Sequence, residues 1–295
     1  MSHVLTLIGN TSTELTQDHV DAVIGALPPT GAPDWLNPGH SCDLPLEATD
    51  TSTIEAARTA LKGAAIDMVC QPVAHRRKKL LVADMDSTII EQECIDELAD
   101  ALGIRDAISE ITERAMRGEL EFEPALRERV GLLKGLAESE LQRVYETQIT
   151  ETPGGRMLCA TMRKHAGTCA LVSGGFTFFT ERVAKSVGFT SNQANTLLVE
   201  NGALTGEVSD PILGREAKVS ALKSLAADLK IDPRETMAVG DGANDLGMIG
   251  EAGLGVAFRA KPVVAAAAPA QINHGDLSAL LYIQGYRSDE IVNPA

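Results

Sequence analysis

The amino-acid sequence predicts an α/β protein, with a parallel sheet interrupted by a helical insertion and preceded by a small α+β unit. Three observations carry this prediction. Leu80 to Ala83 is a continuous apolar run, the pattern of a parallel strand buried on both faces, and it stops at two carboxylates, Asp84 and Asp86. Thr168 to Val172 and Thr236 to Gly240 are further strands of this kind, so βα alternation resumes after Gly154. Between them, from Glu91 to about Thr150, apolar residues recur at helical spacing, first at Ile104, Ala107, Ile108, Ile111 and Ala115, then at Phe122, Ala125, Leu126, Val130 and Leu133. A helical cap is thus expected between the first strand of the sheet and the rest.

Composition narrows the function classes. A chain of 295 residues that is 44% hydrophobic but only 3% aromatic packs mainly through aliphatic strands and alanine-rich helices, and is long enough for two domains. A formal charge of -15 argues against a nucleic-acid partner, which selects for clustered Lys and Arg, and favours a small substrate. An anionic substrate would then need local cations or a metal. The five cysteines are odd in number, widely spaced and without a Cys-x-x-Cys pair, so reduced thiols and a cytosolic location are expected. No run approaches the roughly 18 apolar residues of a membrane span, and the N-terminus lacks a secretory pattern.

In chain order, Val4 to Ile8 reads as a strand, Thr16 to Leu27 as a helix, Pro28 to Gly39 as a Pro/Gly-rich loop, Cys42 to Leu46 as a strand, Thr53 to Leu61 as a helix and Ala65 to Cys70 as a strand. The basic run His75 to Lys79 reads as a solvated linker guarding a buried strand. After the insertion, Phe176 to Val187 reads as a helix. Asn201-Gly202 between Thr196 to Val199 and Ala203 to Val208 is a hairpin signal, and strands near Gly255 to Phe258 and Gln271 to Asn273 complete the sheet.

Two aspartates at i and i+2 beyond a strand can divide nucleophilic and acid-base work if a divalent cation keeps both usable. Asp241, in Val239-Gly-Asp-Gly-Ala-Asn-Asp245, follows a second buried strand and offers another hard oxygen ligand. Alone, Gly-Asp-Gly is a common turn; with Asp84 and Asp86 it suggests a magnesium site. Ser173-Gly174-Gly175, directly after a strand, can bind phosphate oxygens or simply turn the chain. Lys218 lies in line with Ala221, Leu222 and Leu225 on an apolar helix face, where it either snorkels to water or pairs with an anion. Arg129 falls within an apolar stripe too, either holding a carboxylate inside the cap or packing its stem at the cap edge. Glu93 reads as an early-helix acid favoured by the helix dipole.

The order of Asp84-Met-Asp-Ser-Thr88, Glu93-Cys-Ile-Asp-Glu-Leu-Ala99, Val172-Ser-Gly-Gly-Phe176, Lys218 and Val239-Gly-Asp-Gly-Ala-Asn-Asp245 resembles the haloacid dehalogenase superfamily of phosphotransferases, and within it the phosphoserine phosphatase family, over roughly residues 78 to 285. The resemblance implies a Rossmann-like core (77–90 and 151–295), a helical cap (91–150) and an ACT-like N-terminal domain (1–76). It implies a Mg²⁺-dependent phosphatase that hydrolyses O-phospho-L-serine to L-serine and phosphate through an aspartyl-phosphate, the last step of L-serine biosynthesis. Asp84 resembles the nucleophile and Asp86 the general acid and base. Magnesium would be held by Asp84, the Asp86 backbone carbonyl and Asp241, with Asn244 and Asp245 in support. Ser173, Gly174 and Lys218 match residues that meet the phosphoryl group; Glu93 matches the one that meets the substrate ammonium and Arg129 its carboxylate, with Met116 and Phe122 closing the pocket. Many members carry ACT-type amino-acid-sensing domains at the N-terminus, which implies L-serine as a regulator and a homodimer, although the long Pro/Gly segment stands where such a domain has a tidy hairpin. The rival readings are a phosphotransferase that passes the phosphoryl group to an alcohol such as homoserine, and a non-catalytic amino-acid sensor.

Overall fold

The computed structural model describes residues 2–27, 30–47, 51–116 and 119–294, and at Thr51, Thr53 and Met116 the backbone alone. The chain begins with β1 (His3–Ile8), α1 (Gln17–Ala26), β2 (Asp34–Asn37), β3 (Ser41–Leu46), α2 (Thr51–Ala60) and β4 (Asp67–Pro72). Its strands form an antiparallel sheet in the order β2-β3-β1-β4, a βαββαβ arrangement. Period-2 alternation divides the sheet into two faces. Leu5, Leu7, Cys42 and Leu44 pack with Val20, Val23 and Ala57 of the two helices and with Leu61 just after α2, whereas Ile8, Leu36 and Val69 join the main core of the molecule.

This unit corrects one expectation. The segment read as a loop, Pro28 to Gly39, contains β2, which pairs with β3 as a hairpin. The turn is closed by the His40 amide donating to the Asn37 carbonyl at 2.9 Å, and Gly39 supplies a φ of +79°. The strand was hidden because Pro38 and Gly39 dominate the local pattern, while only Trp35 and Leu36 advertise it. The outer edge of β2 is occupied by the C-terminal segment, where the Ser288 amide donates to Leu36 O at 3.0 Å.

The second unit begins with β5 (Leu80–Ala83), all four residues of which are fully buried. The helices α3 (Cys94–Leu102), α4 (Arg105–Met116), α5 (Phe122–Leu132) and α6 (Glu138–Thr147) follow. Then come α7 (Gly155–Lys164), β6 (Thr168–Phe176), α8 (Thr177–Val187), β7 (Ser191–Asn195), β8 (Leu197–Glu200), β9 (Ala203–Val208), α9 (Arg215–Asp228), β10 (Thr236–Gly240), α10 (Leu246–Glu251), β11 (Leu254–Phe258), α11 (Pro262–Ala267), β12 (Ala270–Ile272) and α12 (Ala279–Ile283). Six strands form a parallel sheet in the order β12-β11-β10-β5-β6-β7. Successive residues of β5 serve opposite faces: Leu81 and Ala83 pack with Leu158, Met162 and Phe179, and Leu80 and Val82 with Ala221, Leu222 and Met248.

The chain leaves β5 for β6 and β7 on one side and returns through β10 to build the other. The strand order therefore reverses between β5 and β10, and the carboxyl ends of strands at such a switch point leave a crevice for ligands. β7 was not foreseen, because Ser-Asn-Gln-Ala-Asn carries no apolar pattern; it is an edge strand held by backbone pairing to β6. The β8–β9 hairpin turns at Asn201 (φ +53°) and Gly202 (φ +76°), as its dipeptide predicts. It is hydrogen-bonded to the helical insertion, Gly135 N donating to Leu204 O and Leu204 N to Leu136 O, both at 2.8 Å. All five cysteines are free thiols, in keeping with the sequence. Among the described residues no helix is long and apolar enough to cross a membrane.

The basic run His75 to Lys79 links β4 to β5 and exposes Arg77 and Lys79, as expected of a solvated linker, but Arg76 and Lys78 are drawn inward, which corrects that expectation in part. Arg76 lies between the two sheets. It pairs with Asp43 at 2.5 Å, donates from Nη2 to Thr6 Oγ1 at 2.8 Å and to Tyr282 O at 3.0 Å, and from Nε to Ile283 O at 2.8 Å. Lys78, 6% exposed, donates to Arg234 O at 2.7 Å, and burial pulls its pKa down to about 8. A second clamp is Asp67, whose carboxylate accepts the amides of Asn273 and Gly275 at 2.8 and 2.7 Å. Arg76→Ala strands Asp43 in this low-dielectric junction, and breaking such a pair should lower unfolding free energy by about 3 kcal/mol in urea titration. A loss below about 0.5 kcal/mol would show that the junction does not depend on the pair.

Candidate active site

The site is built where β5, β6 and β10 end. Asp84 extends β5 by one residue, its amide donating to Val239 O at 3.0 Å, and its Oδ1 accepts from the Met85 amide at 2.8 Å. Asp86, two residues on, is turned the other way. Its Oδ1 accepts the Cys94 amide in the first turn of α3 at 2.9 Å, and its Oδ2 accepts from Ser173 Oγ at 3.0 Å. Enclosure of the carboxyl, and then the charge of Asp84, raise the Asp86 pKa despite these donors.

Lys218 projects from α9 into the same crevice. It is 1% exposed, and its Nζ lies 2.7 Å from Asp84 Oδ1 and 2.6 Å from Asp245 Oδ1. Of the two fates open to it in sequence, it pairs with anions. Burial pulls the pKa of the ammonium down, but Asp245 and Asp84 outweigh burial and the net shift is upward. Asp241 completes the group from the end of β10, its Oδ1 accepting from Thr88 Oγ1 at 3.2 Å.

Carboxylate oxygens of Asp84, Asp241 and Asp245 all lie within 4.8 Å of one another, and all three residues are buried. One lysine cannot neutralise three carboxylates. Burial, then repulsion from Asp84, pushes Asp241 up to about 6 and Asp245 up to about 7. A cluster of hard oxygen donors with surplus negative charge fits a divalent cation that prefers oxygen. The trio differs in one member from the ligand set the family resemblance implies: Asp245 belongs to it, while the Asp86 side chain is committed to Cys94 and Ser173. Asp86 thus has only its backbone carbonyl to offer a metal.

Glu93 sits at the N-cap of α3, where Ser87 Oγ donates to its Oε1 at 2.9 Å. It thus stands at a helix start, as its pattern reads, and it is also buried. Burial, then the nearby charge of Asp86, pushes its pKa up to about 8. Arg129 faces inward from α5, its Nε donating to Ala125 O at 3.2 Å and Nη1 to Thr112 Oγ1 at 3.4 Å. Burial lowers its pKa, opposed by the fields of Glu93, Asp96 and Asp86, and its Nη2 has no hydrogen-bond partner among the described residues. Glu93 and Arg129 thus both lie within the field of Asp86, and Arg129 within that of Glu93.

Phe122, at the start of α5, rests on two glycines. A Cβ at Gly174 would meet its Cζ at 3.0 Å and one at Gly214 its Cδ1 at 3.1 Å, so a larger residue at either position would push the ring back by a few tenths of an ångström. Asn244 lies in the turn after β10, its Oδ1 close against Gly242. The Met116 side chain lies outside the described residues. Two participants were not singled out from sequence. Thr88, fully buried on Asp241, stands four residues after Asp84 in the same motif, and its position there is the signal that could have found it. Lys261, whose amide donates to Asp241 O at 3.1 Å and whose charge lowers the Asp241 pKa, carries no local pattern.

A crevice at the switch point of a parallel sheet, with paired aspartates, a buried lysine and a helical cap, defines a class of enzyme. The chain belongs to the haloacid dehalogenase-like hydrolase family, whose profile matches residues 81–249. It is 44% identical over 217 residues to the phosphoserine phosphatase of Archaeoglobus fulgidus and 40% identical over 246 residues to that of Streptomyces coelicolor. These alignments take in 73% and 83% of this chain but only 63% and 60% of those relatives. Its structure is similar to that of a probable phosphoserine phosphatase from Vibrio cholerae in unliganded form, with a TM-score of 0.79 and 33% identity, covering 98% of this chain and 88% of the other.

The raised carboxyls have a thermodynamic consequence in chelator-treated protein. A group whose pKa is higher folded than unfolded contributes stability at low pH and loses it as pH climbs through the folded value. For Asp241 that window runs from the ordinary 3.8 to about 6. Asp241→Asn should therefore match wild type near pH 4 and exceed it by about 1 to 2 kcal/mol at pH 7 in urea unfolding with chelator present. A variant no more stable than wild type at pH 7 would show that the cluster carries no surplus charge.

Proposed function

We propose that this protein is a Mg²⁺-dependent phosphatase that hydrolyses O-phospho-L-serine to L-serine and phosphate. The observation that carries this reading is the pairing of a phosphoryl-transfer crevice, Asp84 and Asp86 with Lys218 and Ser173, with an inward-facing Glu93 and Arg129 set in one another's field. A polyol phosphate has no use for two opposite charges; the α-ammonium and α-carboxylate of an amino acid do. The family membership and the phosphoserine phosphatases among its relatives support the same substrate.

In this mechanism an Asp84 carboxylate oxygen attacks phosphorus, the bond from phosphorus to the seryl oxygen breaks, and Asp86 delivers its proton to that oxygen. The raised pKa of Asp86 lets it carry the proton in. Asp86, now ionised, takes a proton from a water that attacks the aspartyl-phosphate, and phosphate leaves with Asp84 regenerated. Lys218, Ser173 and the Gly174 backbone bind the phosphoryl oxygens, with Asn244 in support. When bound by Asp84, Asp241 and the Asp86 carbonyl, with Asp245 beside them, magnesium supplies the positive charge that offsets the developing phosphoryl charge. Glu93 receives the substrate ammonium, whose arrival favours its ionised form, and Arg129 receives the carboxylate. Met116 and Phe122 close the pocket and exclude water.

The proposed units are 1–76, 77–90 with 151–295, and 91–150. We assign residues 1–76 an ACT-like role, with L-serine as regulator and a homodimer as the assembly, on the strength of the βαββαβ order and the β2–β3 hairpin. Five cysteines outside any disulfide favour a cytosolic setting.

Phosphate release from phosphoserine, measured beside sugar and nucleotide monophosphates, tests the substrate. Phosphoserine should have the highest kcat/KM, and a preference of about tenfold for any other ester would overturn the assignment. Asp84→Asn should fold but retain less than about 1% of turnover. Arg129→Ala should cost about 2 to 5 kcal/mol in kcat/KM for phosphoserine, and an unchanged value would remove Arg129 from the site.

A further inference from the structure

Asn195 ends β7, on the edge of the parallel sheet, yet its side chain is buried at 2% exposure. Beside it the β6–β7 ladder breaks. Val172 pairs with Gln193 and Phe176 with Asn195, so Ser173, Gly174 and Gly175 lie opposite Ala194 alone. A bulge of this kind re-aims side chains but leaves its own peptides without ladder partners. Asn195 supplies one. Its Nδ2 donates to Gly174 O at 2.8 Å and to Leu213 O at 3.2 Å, and its Oδ1 accepts from the Leu213 amide at 2.7 Å.

The consequence runs through a planar peptide. In a trans peptide the C=O and the following N–H point in opposite directions. With Gly174 O held by Asn195, the Gly175 N–H is directed away from β7, and it donates to Ser173 Oγ at 2.8 Å. A hydroxyl that accepts there has its proton free to donate elsewhere, and Ser173 Oγ donates to Asp86 Oδ2 at 3.0 Å. The four groups form one directed chain from Asn195 through the Gly174–Gly175 peptide and Ser173 to Asp86, and such chains reinforce each other. A side chain at its centre would push this chain apart, because a Cβ at Gly175 would lie 2.7 Å from Asp86 Oδ2 and 3.0 Å from Ser173 Oγ. The same side chain ties Leu213, and so the neighbouring Gly214, to Gly174, the two glycines on which Phe122 rests.

We infer that Asn195 is a positioning residue for phosphoryl transfer, which orients the Gly174–Gly175 peptide so that Ser173 presents its hydroxyl to Asp86. This rests on the reading of Asp86 as the acid-base residue. Asn195 itself touches neither Asp86 nor the crevice carboxylates; its effect passes through Ser173.

A double-mutant cycle tests this. Asn195→Ala, Ser173→Ala and the double variant are compared for kcat, with phosphoserine and with p-nitrophenyl phosphate, so that failure of the substrate assignment is seen separately in wild type. Asn195→Ala should lower kcat by at least about tenfold, and adding it to Ser173→Ala should lower kcat by less than about twofold more. A kcat within about twofold of wild type, or a double variant whose loss is the product of the two single losses, would overturn the inference. Asn195→Asp, which keeps the acceptor for Leu213 but not the donor to Gly174, should behave as Asn195→Ala does. Unfolding of both Asn195 variants would also overturn it, by making Asn195 a residue of the fold alone.

Discussion

The ammonium of Lys218, at 1% exposure, lies between Asp84 and Asp245, and the chemistry of the site depends on that contact. It joins three separate elements: α9, the end of β5 and the turn after β10. An unpaired lysine could not stay charged there, and three unpaired carboxylates could not stay together. The balance is incomplete. Asp241 and Asp245 remain high in pKa even with Lys218 in place, which marks the cluster as a site organised for more positive charge than the protein itself provides. A fold that accepts such repulsion gives up stability at the position where a function needs the charge.

Around this centre the fold acts as a set of fixed distances. Parallel pairing places Ala83 beside Val239 on one side and beside Leu171 on the other, so the residues that follow each strand converge without long loops. The cap adds side chains from α3 and α5, and the glycines at 174 and 214 determine how closely Phe122 descends. The N-terminal sheet is joined to the far side of this assembly. Arg76 and Asp67 bind backbone groups of residues 273 to 283, which ties the N-terminal unit to the segment that follows β12.

Legibility in the sequence followed from how local the determinants were. β5 and β10 were readable because burial on both faces leaves an uninterrupted apolar run, while a cation in an apolar stripe marked Lys218 but left snorkelling and pairing both open. The hairpin at Asn201-Gly202 was readable from two residues. In contrast, β7 has a polar sequence and exists through pairing with β6, and β2 is masked by the turn it leads into. Within the basic run at 75–79, Arg76 and Lys78 misled because their partners, Asp43, Ile283 O and Arg234 O, come from distant parts of the chain. Glu93 does stand at a helix start, as its pattern reads, but its burial beside Asp86, which governs its pKa, is not visible in that pattern. The place of Asp245 beside Asp84 and Asp241 likewise follows from the tight turn after β10, which returns its carboxylate to the Gly242 amide and to Lys218.

We propose that Asp84 takes the phosphoryl group while Lys218 and the carboxylates beside it hold the charge. The most direct test is mass spectrometry of enzyme mixed with phosphoserine and magnesium and quenched in acid within one turnover. The account predicts the mass of one phosphoryl group on the peptide containing Asp84, and none in Asp84→Asn. Turnover without that adduct, or a phosphoryl group found on Ser173 or any other residue instead, would contradict it.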